Sequence, residues 1–349
     1  KLALVKGDIM STVLVRPCLP TDVDALFALA EQTGPGMTNL PADRDLLAKK
    51  IHRSVISFRK KVKQPGEEYY LFVLETTDTQ QVIGCSAIVG AVGKEYPFYN
   101  YKVSREELVC ISLGLHKTMD LLYLAHDYND MSEVCSLFLL PQYRASHYGK
   151  LLSLSRFLFL ADFPQQFGEK IFAEMRGVFD DKGQSPFWEG MVRHFFHMDF
   201  ALADKLSSRG EKQFISDLMP RCPIYVSLLP LDAQAVIGQV HPAAKPALAF
   251  LQREGFRYQR YIDIFDGGPV VEAAREDLRT VSKSSIMVVE RLVDEETVGV
   301  TTLLSNGAIN FRACIAHIPT THEQQIVLDK RTAEILQVGV GDKVRRIEL

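Results

Sequence analysis

Paired cysteine spacing is missing from this chain. Its six cysteines (Cys18, Cys85, Cys110, Cys135, Cys222 and Cys314) stand singly, without Cys-x-x-Cys or Cys-x-x-His, and several sit in apolar runs such as VIGCSAIVG. That pattern excludes a zinc knuckle and predicts free buried thiols in a reducing compartment. Long hydrophobic runs are missing too. No stretch reaches the roughly 20 uninterrupted apolar residues that span a bilayer, and KLALVKGDIM has neither an h-region nor a cleavage site. The expectation is a cytoplasmic protein with no membrane attachment. Nor is there an excess of one charge: Lys+Arg (40) nearly balances Asp+Glu (43), for a net charge of -3. No global field recruits nucleic acid, so the partner is a small molecule.

What is present is apolar mass. At 349 residues and 47% hydrophobic content, the chain exceeds one ordinary core and predicts two domains, 10–200 and 201–349. Residues 1–9, ahead of Met10, are set apart from the fold as an upstream extension.

Periodicity then gives an order of elements. STVLVRP reads as a strand, and TDVDALFALAEQTG as a helix with Thr21 able to cap, Asp24 at its third position and Gly34 as its stop. RDLLAKKIHRSVISFRKKVK, 44–63, is a second helix whose basic end is a solvated helix terminus. EYYLFVLET and QVIGCSAIVGAVG form a hairpin across TDTQQ. REELVCISLGLH and LLYLAHDY form a strand pair or inserted segment. EVCSLFLLP, apolar on both faces, predicts a central strand covered on both sides. A helix over 149–163 and a strand in EKIFAEMRGVF follow.

Beyond them, SPFWEGMVRHFFHMDF and KPALAFLQREGFRYQRYIDIF share one plan: Pro at a helix start, an apolar helix, then a strand. Two copies of such a unit predict two related halves. The tail from about 280 reads as short strands with the turn signals NG and GVGD.

The chemistry gathers first at CSLFLLPQYRASHYGKLL. A strand ending in a glycine-containing loop that opens a helix aims backbone N–H groups and the positive helix end at one point, where an anion binds. Within the order of elements given above, this junction resembles that of the general N-acyltransferase (GNAT) superfamily. Its RxxGxG/A loop matches at Arg144 and Gly149, with His147 in the middle glycine position. The resemblance implies an acyl-CoA whose pyrophosphate meets Arg144, Ser146, Gly149 and Lys150. Its pantetheine arm would run along the backbone of Leu137 and Leu139.

A narrower resemblance runs through TNLP, YYLFVLE, FYNY, SLFLLP, AEMRGVFD, SPFWEG, FFHMDF, LMPRCPIYV, IGQVHP, LQREGFRY and YIDIFDGGP. Together these are similar to the arginine N-succinyltransferase family. The resemblance implies an α+β fold of two tandem GNAT-like halves with exchanged C-terminal strands, each a mixed sheet flanked by helices. It also implies succinyl-CoA as co-substrate, no permanently bound cofactor, and L-arginine, or ornithine in some members, as acceptor in arginine catabolism. A homodimer, or a hetero-oligomer with a paralogous subunit, would agree with such halves.

Acyl transfer to an amine needs a neutral amine, donors for an oxyanion and a proton for the departing thiolate. The family's proton donor falls on His241 of QVHP, which Pro242 biases to an extended conformation. Near a helix start the imidazole is favoured in its neutral form. No nucleophile elbow is present, so transfer is expected to be direct, and Cys135 reads as a packing residue. His194 and His197 share the i, i+3 spacing of a metal pair without a third ligand pattern, so no metal is expected; His52, His116, His126, His317 and His322 read as structural. A guanidinium calls for carboxylates, and carboxylates call for Arg or Lys. Glu174, Arg176 and Asp263 are the substrate-binding candidates. Asp266 is weighed beside Asp263 on the opposite strand face, and Glu174 with Arg176 could instead pair with each other. Two rivals share the same loop: an N-acyltransferase acting on ornithine or another amino acid, and a non-catalytic subunit that binds CoA or arginine.

Overall fold

The computed structural model describes residues 13–34, 36–144, 147–319 and 324–349. Ser146 and His322 therefore lie outside the described residues.

In chain order the strands are β1 (Val13–Pro17), β2 (Tyr69–Thr76), β3 (Val82–Val89), β4 (Asn100–Cys110), β5 (Leu115–Ala125), β6 (Ser132–Leu139), β7 (Lys170–Glu174) and β8 (Ile224–Tyr225). They continue with β9 (Arg257–Asp263), β10 (Pro269–Ala274), β11 (Ser285–Val293), β12 (Val300–Ser305), β13 (Ala313–Ile318), β14 (Gln325–Asp329) and β15 (Lys343–Glu348). All join one mixed ladder in the order β14-β11-β15-β12-β13-β1-β2-β3-β6-β7-β10-β9-β4-β5-β8. The helices that matter most to the site are α1 (Val23–Ala30), α2 (Arg44–Arg59) and α3 (Tyr148–Asp162).

The expected order is present: strand, two helices, hairpin, long strand, loop, helix, strand. β6 is central, antiparallel to β3 and parallel to β7, and nearly all its residues are buried. The strands β9 and β10, from beyond residue 200, lie against β7 through β10. In this way late sequence completes a sheet that early sequence began. The tail attaches at the other edge, where β13 pairs with β1. Asp162 at the end of α3 bonds Arg345 of β15 at 2.6 Å, tying the tail to the central helix. REELVCISLGLH and LLYLAHDY belong to the long β4–β5 hairpin.

α3 is buried on almost every face from Leu151 to Leu160. Phe159 meets Tyr70, Phe72, Phe163, Phe167 and Phe311 within one aromatic cluster. Each such ring, fully buried, contributes about 1.5–3 kcal/mol, enough to fix the helix under the sheet.

Several local expectations are corrected. Asp22, not Thr21, stands at the start of α1, and its carboxylate accepts Leu19 N–H and the Arg16 guanidinium instead of capping. α2 ends at Arg59, because Lys60 turns to extended backbone. The following basic stretch lines a cavity of about 460 Å3, but Lys60 there pairs with Glu68. The strand exit expected in HMDF is absent: His197 adopts φ 51° and Asp199 starts a helix over Phe200–Ser208. The second unit does have its helix, Gly255 stop (φ 112°) and strand β9. The six cysteines are free. Cys18, Cys85, Cys135 and Cys314 are buried, whereas Cys222, in a bend, is exposed and Cys110 half-buried.

Candidate active site

β6 and β7 pair only at Ser132 with Ile171 and Glu133 with Phe172. Past that point they part, and the edge of β6 toward β7 loses its strand partner over the segment holding Leu137 and Leu139. Within this segment Ser136 adopts φ 53°, and the register with β3 slips between Cys85 and Ala87. This is a β-bulge with a non-glycine residue in the left-handed region, at a cost of about 1–3 kcal/mol. Tyr69 Oη at 3.1 Å and the Asn39 carbonyl at 3.3 Å hold the Ser136 hydroxyl there.

One end of the parted strands leads to the loop and α3. Arg144 donates from Nε to the Leu139 carbonyl at 2.9 Å, which folds its guanidinium back over the end of β6. No side chain of His147 caps α3. A Cβ at Gly149 would meet only Leu139 and Phe250, at 3.7 and 3.8 Å, so the fold itself does not demand glycine there. Lys150 has its pKa lowered, first by burial and then by the charges of Arg279 and Arg253. Lys150 in the first turn of α3 thus feels the charges of Arg279 and Arg253, with Glu254 3.9 Å from Arg279, and a cation at a helix start favours an anion.

The other end opens on carboxylates. Glu174 Oε1 accepts from Asn100 Nδ2 at 2.8 Å, and Glu133 Oε1 from Asn39 Nδ2 at 3.0 Å. Asp263 Oδ1 accepts Phe265 and Asp266 N–H at 2.7 and 2.8 Å. The turn thus joins Asp263 to Asp266 in spite of the alternation of β9. Both Asp266 oxygens are occupied, by Gly177 N–H at 2.7 Å and Gly268 N–H at 2.8 Å, so Asp266 is a structural brace. Burial is the first cause that raises the pKa of Glu133, Glu174, Asp263 and Asp266. Neighbouring carboxylates add to it for Glu133, Glu174 and Asp266. Asp204, bonded by the Thr38 hydroxyl, is raised as well, again first by burial. Asn100 is 0% exposed and its Oδ1 has no donor. This set of acceptors has the chemistry of a cation site. Lys50, beside Glu133, is pushed down to about 8 by burial and donates to the Asn39 carbonyl at 3.1 Å.

His241 stands at the end of β7. Its N–H donates to the Arg176 carbonyl at 2.8 Å, and its Nδ1 accepts Ala243 N–H at 3.1 Å, which leaves Nε2 as the outward nitrogen. Burial and then the Arg176 charge lower its pKa, so the neutral imidazole is favoured. Arg176 does not pair with Glu174. It lies over the Phe179 ring at 5.2 Å, reaches the Thr33 carbonyl at 3.4 Å, and keeps Nε buried without a partner.

His194 and His197 are exposed, and no group of His, Cys, Asp or Glu among the described residues is placed to hold a metal. Asn39 from a loop, the bulged Ser136, and Glu133, Asn100 and Asp204 escaped the sequence reading. Glu133 alone left a signal there, as a carboxylate inside an otherwise apolar central strand.

An acyltransferase of the GNAT-like class is defined by this fold and site: a strand pair parted beside a bulge, with an anion-binding helix start at one end. The family model "Arginine N-succinyltransferase beta subunit" matches residues 13–280, and its C-terminal domain model matches 285–348. An arginine N-succinyltransferase from Yersinia pestis (strain Pestoides F) is 43% identical over 344 residues, covering 96% of this chain and 97% of that protein. An arginine N-succinyltransferase subunit beta from Pseudomonas aeruginosa is 41% identical over 97% and 98% of the two chains. The solved arginine/ornithine succinyltransferase subunit AI from Pseudomonas aeruginosa superposes with a TM-score of 0.87 at 35% identity, covering 97% and 98%. The chain belongs to the arginine N-succinyltransferase family.

Proposed function

We propose that this chain transfers the succinyl group of succinyl-CoA to the α-amino group of L-arginine by direct attack. The observation that carries the reading is the parting of β6 from β7 at the Ser136 bulge, between an anion site and a carboxylate pocket. The CoA pyrophosphate lies at the α3 start, against Arg144, Gly149 and Lys150. Pantetheine follows the open edge at Leu137 and Leu139, which brings the thioester to the bulge. The acceptor's guanidinium enters among Glu133, Glu174 and Asp263, offering further N–H donors to a group of carboxylates that raise one another's pKa. Arg176 and His241 border the reacting atoms.

The amine nitrogen attacks the thioester carbon, an amide bond forms and the C–S bond breaks. The proton lost by the amine and the proton gained by the thiolate balance, and His241 Nε2 is the group placed to handle that exchange. The test is CoA thiol release with succinyl-CoA or acetyl-CoA as donor and arginine, ornithine or lysine as acceptor. Fastest release with succinyl-CoA and arginine is expected; CoA binding without turnover in any pair defeats the reading.

Assembly with a second subunit, a further copy or a paralogue, is part of the proposal. The family model describes a beta subunit, and the tip of the β4–β5 hairpin exposes Ile111 (91%), Leu113 (71%) and Leu115, an apolar surface of the kind partners cover. Sedimentation of the unaltered chain against an Ile111→Asp variant checks it.

A further inference from the structure

Arg156 is a charged side chain that the site described above leaves unused. It lies in the middle of α3, 2% exposed, and its hydrogen bonds run from Nε to the Ser153 carbonyl and from Nη2 to Ser153 Oγ, both at 3.1 Å. No carboxylate among the described residues pairs with it, whereas the less deeply buried Arg16 and Arg345 are held by Asp22 and Glu75 and by Asp162. A guanidinium stays charged in a protein interior and its burial without an anion costs several kcal/mol. Two serine contacts do not offset that. Burial lowers its pKa to about 10, and the electrostatic neighbour it has is the Cys135 thiol.

The helix that carries Arg156 packs on β3 and β6, with the Leu152 carbonyl one turn earlier accepting the Ser86 hydroxyl at 3.3 Å, and Cys135 belongs to that β6 strand. It immediately precedes Ser136, the bulged residue at which β6 leaves β7. Helix side chains lean toward the N-terminus of their helix, and the bonds to Ser153 show Arg156 doing so, toward the loop end of the parted strands. A buried positive charge thus lies on the helix that packs under β3 and β6, the strand along which the donor is proposed to run. Nothing among the described residues neutralises it.

We propose that Arg156 binds the free carboxylate of the donor's acyl group, making it the residue that selects a dicarboxylic acyl-CoA over a monocarboxylic one. The inference rests on the acyl-transfer reading above. A carboxylate arriving here gains a fully desolvated, bidentate partner, and the protein loses an uncompensated charge.

The experiment measures kcat/KM with succinyl-CoA and with butyryl-CoA, which has the same chain length but no second carboxylate. The Arg156→Met variant should lose the succinyl preference by at least roughly thirtyfold, the factor expected when one member of a buried charge pair is removed. An unchanged ratio overturns the proposal. The acceptor supplies the other carboxylate, so the same variant is assayed with arginine and with agmatine, which lacks it. Collapse of the arginine preference in place of the succinyl preference assigns the charge to the acceptor and overturns the proposal too. Should Arg156→Met fail to fold, the unaltered protein saturated with CoA gives the answer: succinate should bind at least roughly tenfold more tightly than butyrate, and equal binding refutes the assignment. That arm needs no turnover, so it stands apart from failure of the acyl-transfer reading itself.

Discussion

His241 and Arg176 are locked together by a 2.8 Å bond from the histidine N–H to the arginine carbonyl, so the histidine backbone is registered to the segment just past β7. Replacing His241 by Gln keeps that backbone bond and removes the titrating ring. Turnover should fall about 100-fold or more, the usual worth of a general acid or base, with little change in the dissociation constant for CoA. Steady-state kinetics beside calorimetric CoA binding measure the split; equal losses in both would place His241 in binding and not in chemistry.

The titration of that ring has a definite sign. Burial and the Arg176 charge both lower its pKa below the usual 6.5. In the Arg176→Met variant the second cause is gone, so the pKa should move up toward its ordinary value. Proton NMR of the imidazole across pH 4 to 9, a range that brackets the ordinary histidine value of about 6.5, detects the shift. No movement, or a downward one, would mean the charge is screened.

The carboxylate pocket links stability to pH in the direction opposite to a salt-bridged acid. Glu133, Glu174 and Asp263 have raised folded-state pKa values, so between the unfolded value near 4 and the raised one the native state binds more protons. Stability contributed there falls as pH rises through that window. Glu174→Gln should therefore raise the Tm of the free protein at pH 7 by about 2 °C or more, while kcat/KM for arginine drops at least roughly tenfold. Calorimetry across buffers of different ionisation enthalpy adds a check, because a bound cation lowers these pKa values and arginine should release protons on binding.

Gly149 offers a cleaner test of the anion site than most loop positions. Since a Cβ there meets nothing closer than 3.7 Å, Gly149→Val should fold normally, as judged by circular dichroism and Tm. Its added methyls occupy the approach to the helix start, so the dissociation constant for CoA should rise about tenfold or more. Unaltered affinity in a folded variant puts the pyrophosphate elsewhere.

Arg345 joins the tail to the central helix through Asp162, both side chains nearly buried. Burial raises the Asp162 pKa despite that partner, so the pair is held by geometry against a desolvation cost. Arg345→Met leaves a buried carboxylate alone and should destabilise the protein by about 3 kcal/mol. Urea denaturation reads it directly; a loss below about 0.5 kcal/mol would mean that Asp162 finds water.

Local chemistry in the sequence was sufficient to determine the order of elements up to β7 outside the β4–β5 segment, which stayed open between a strand pair and an insertion, together with the central burial of β6, the helix after the loop and the Gly255 stop. Each depends on neighbours within a few residues: apolar period, caps and turn residues. His241, Arg144 and Gly149 became candidates through a family pattern and not through spacing alone. Only the tertiary structure decided that Asn39, from a loop, meets both Glu133 and Ser136, that Asn100 meets Glu174, and that β10 closes onto β7 across about a hundred residues of chain. It also separated Asp263, which accepts two backbone amides at one oxygen, from Asp266, whose two oxygens are each taken by a backbone amide. The reason is physical: a carboxylate's role is set by the donors and the dielectric around it, and those come from strands and loops whose proximity no local period encodes.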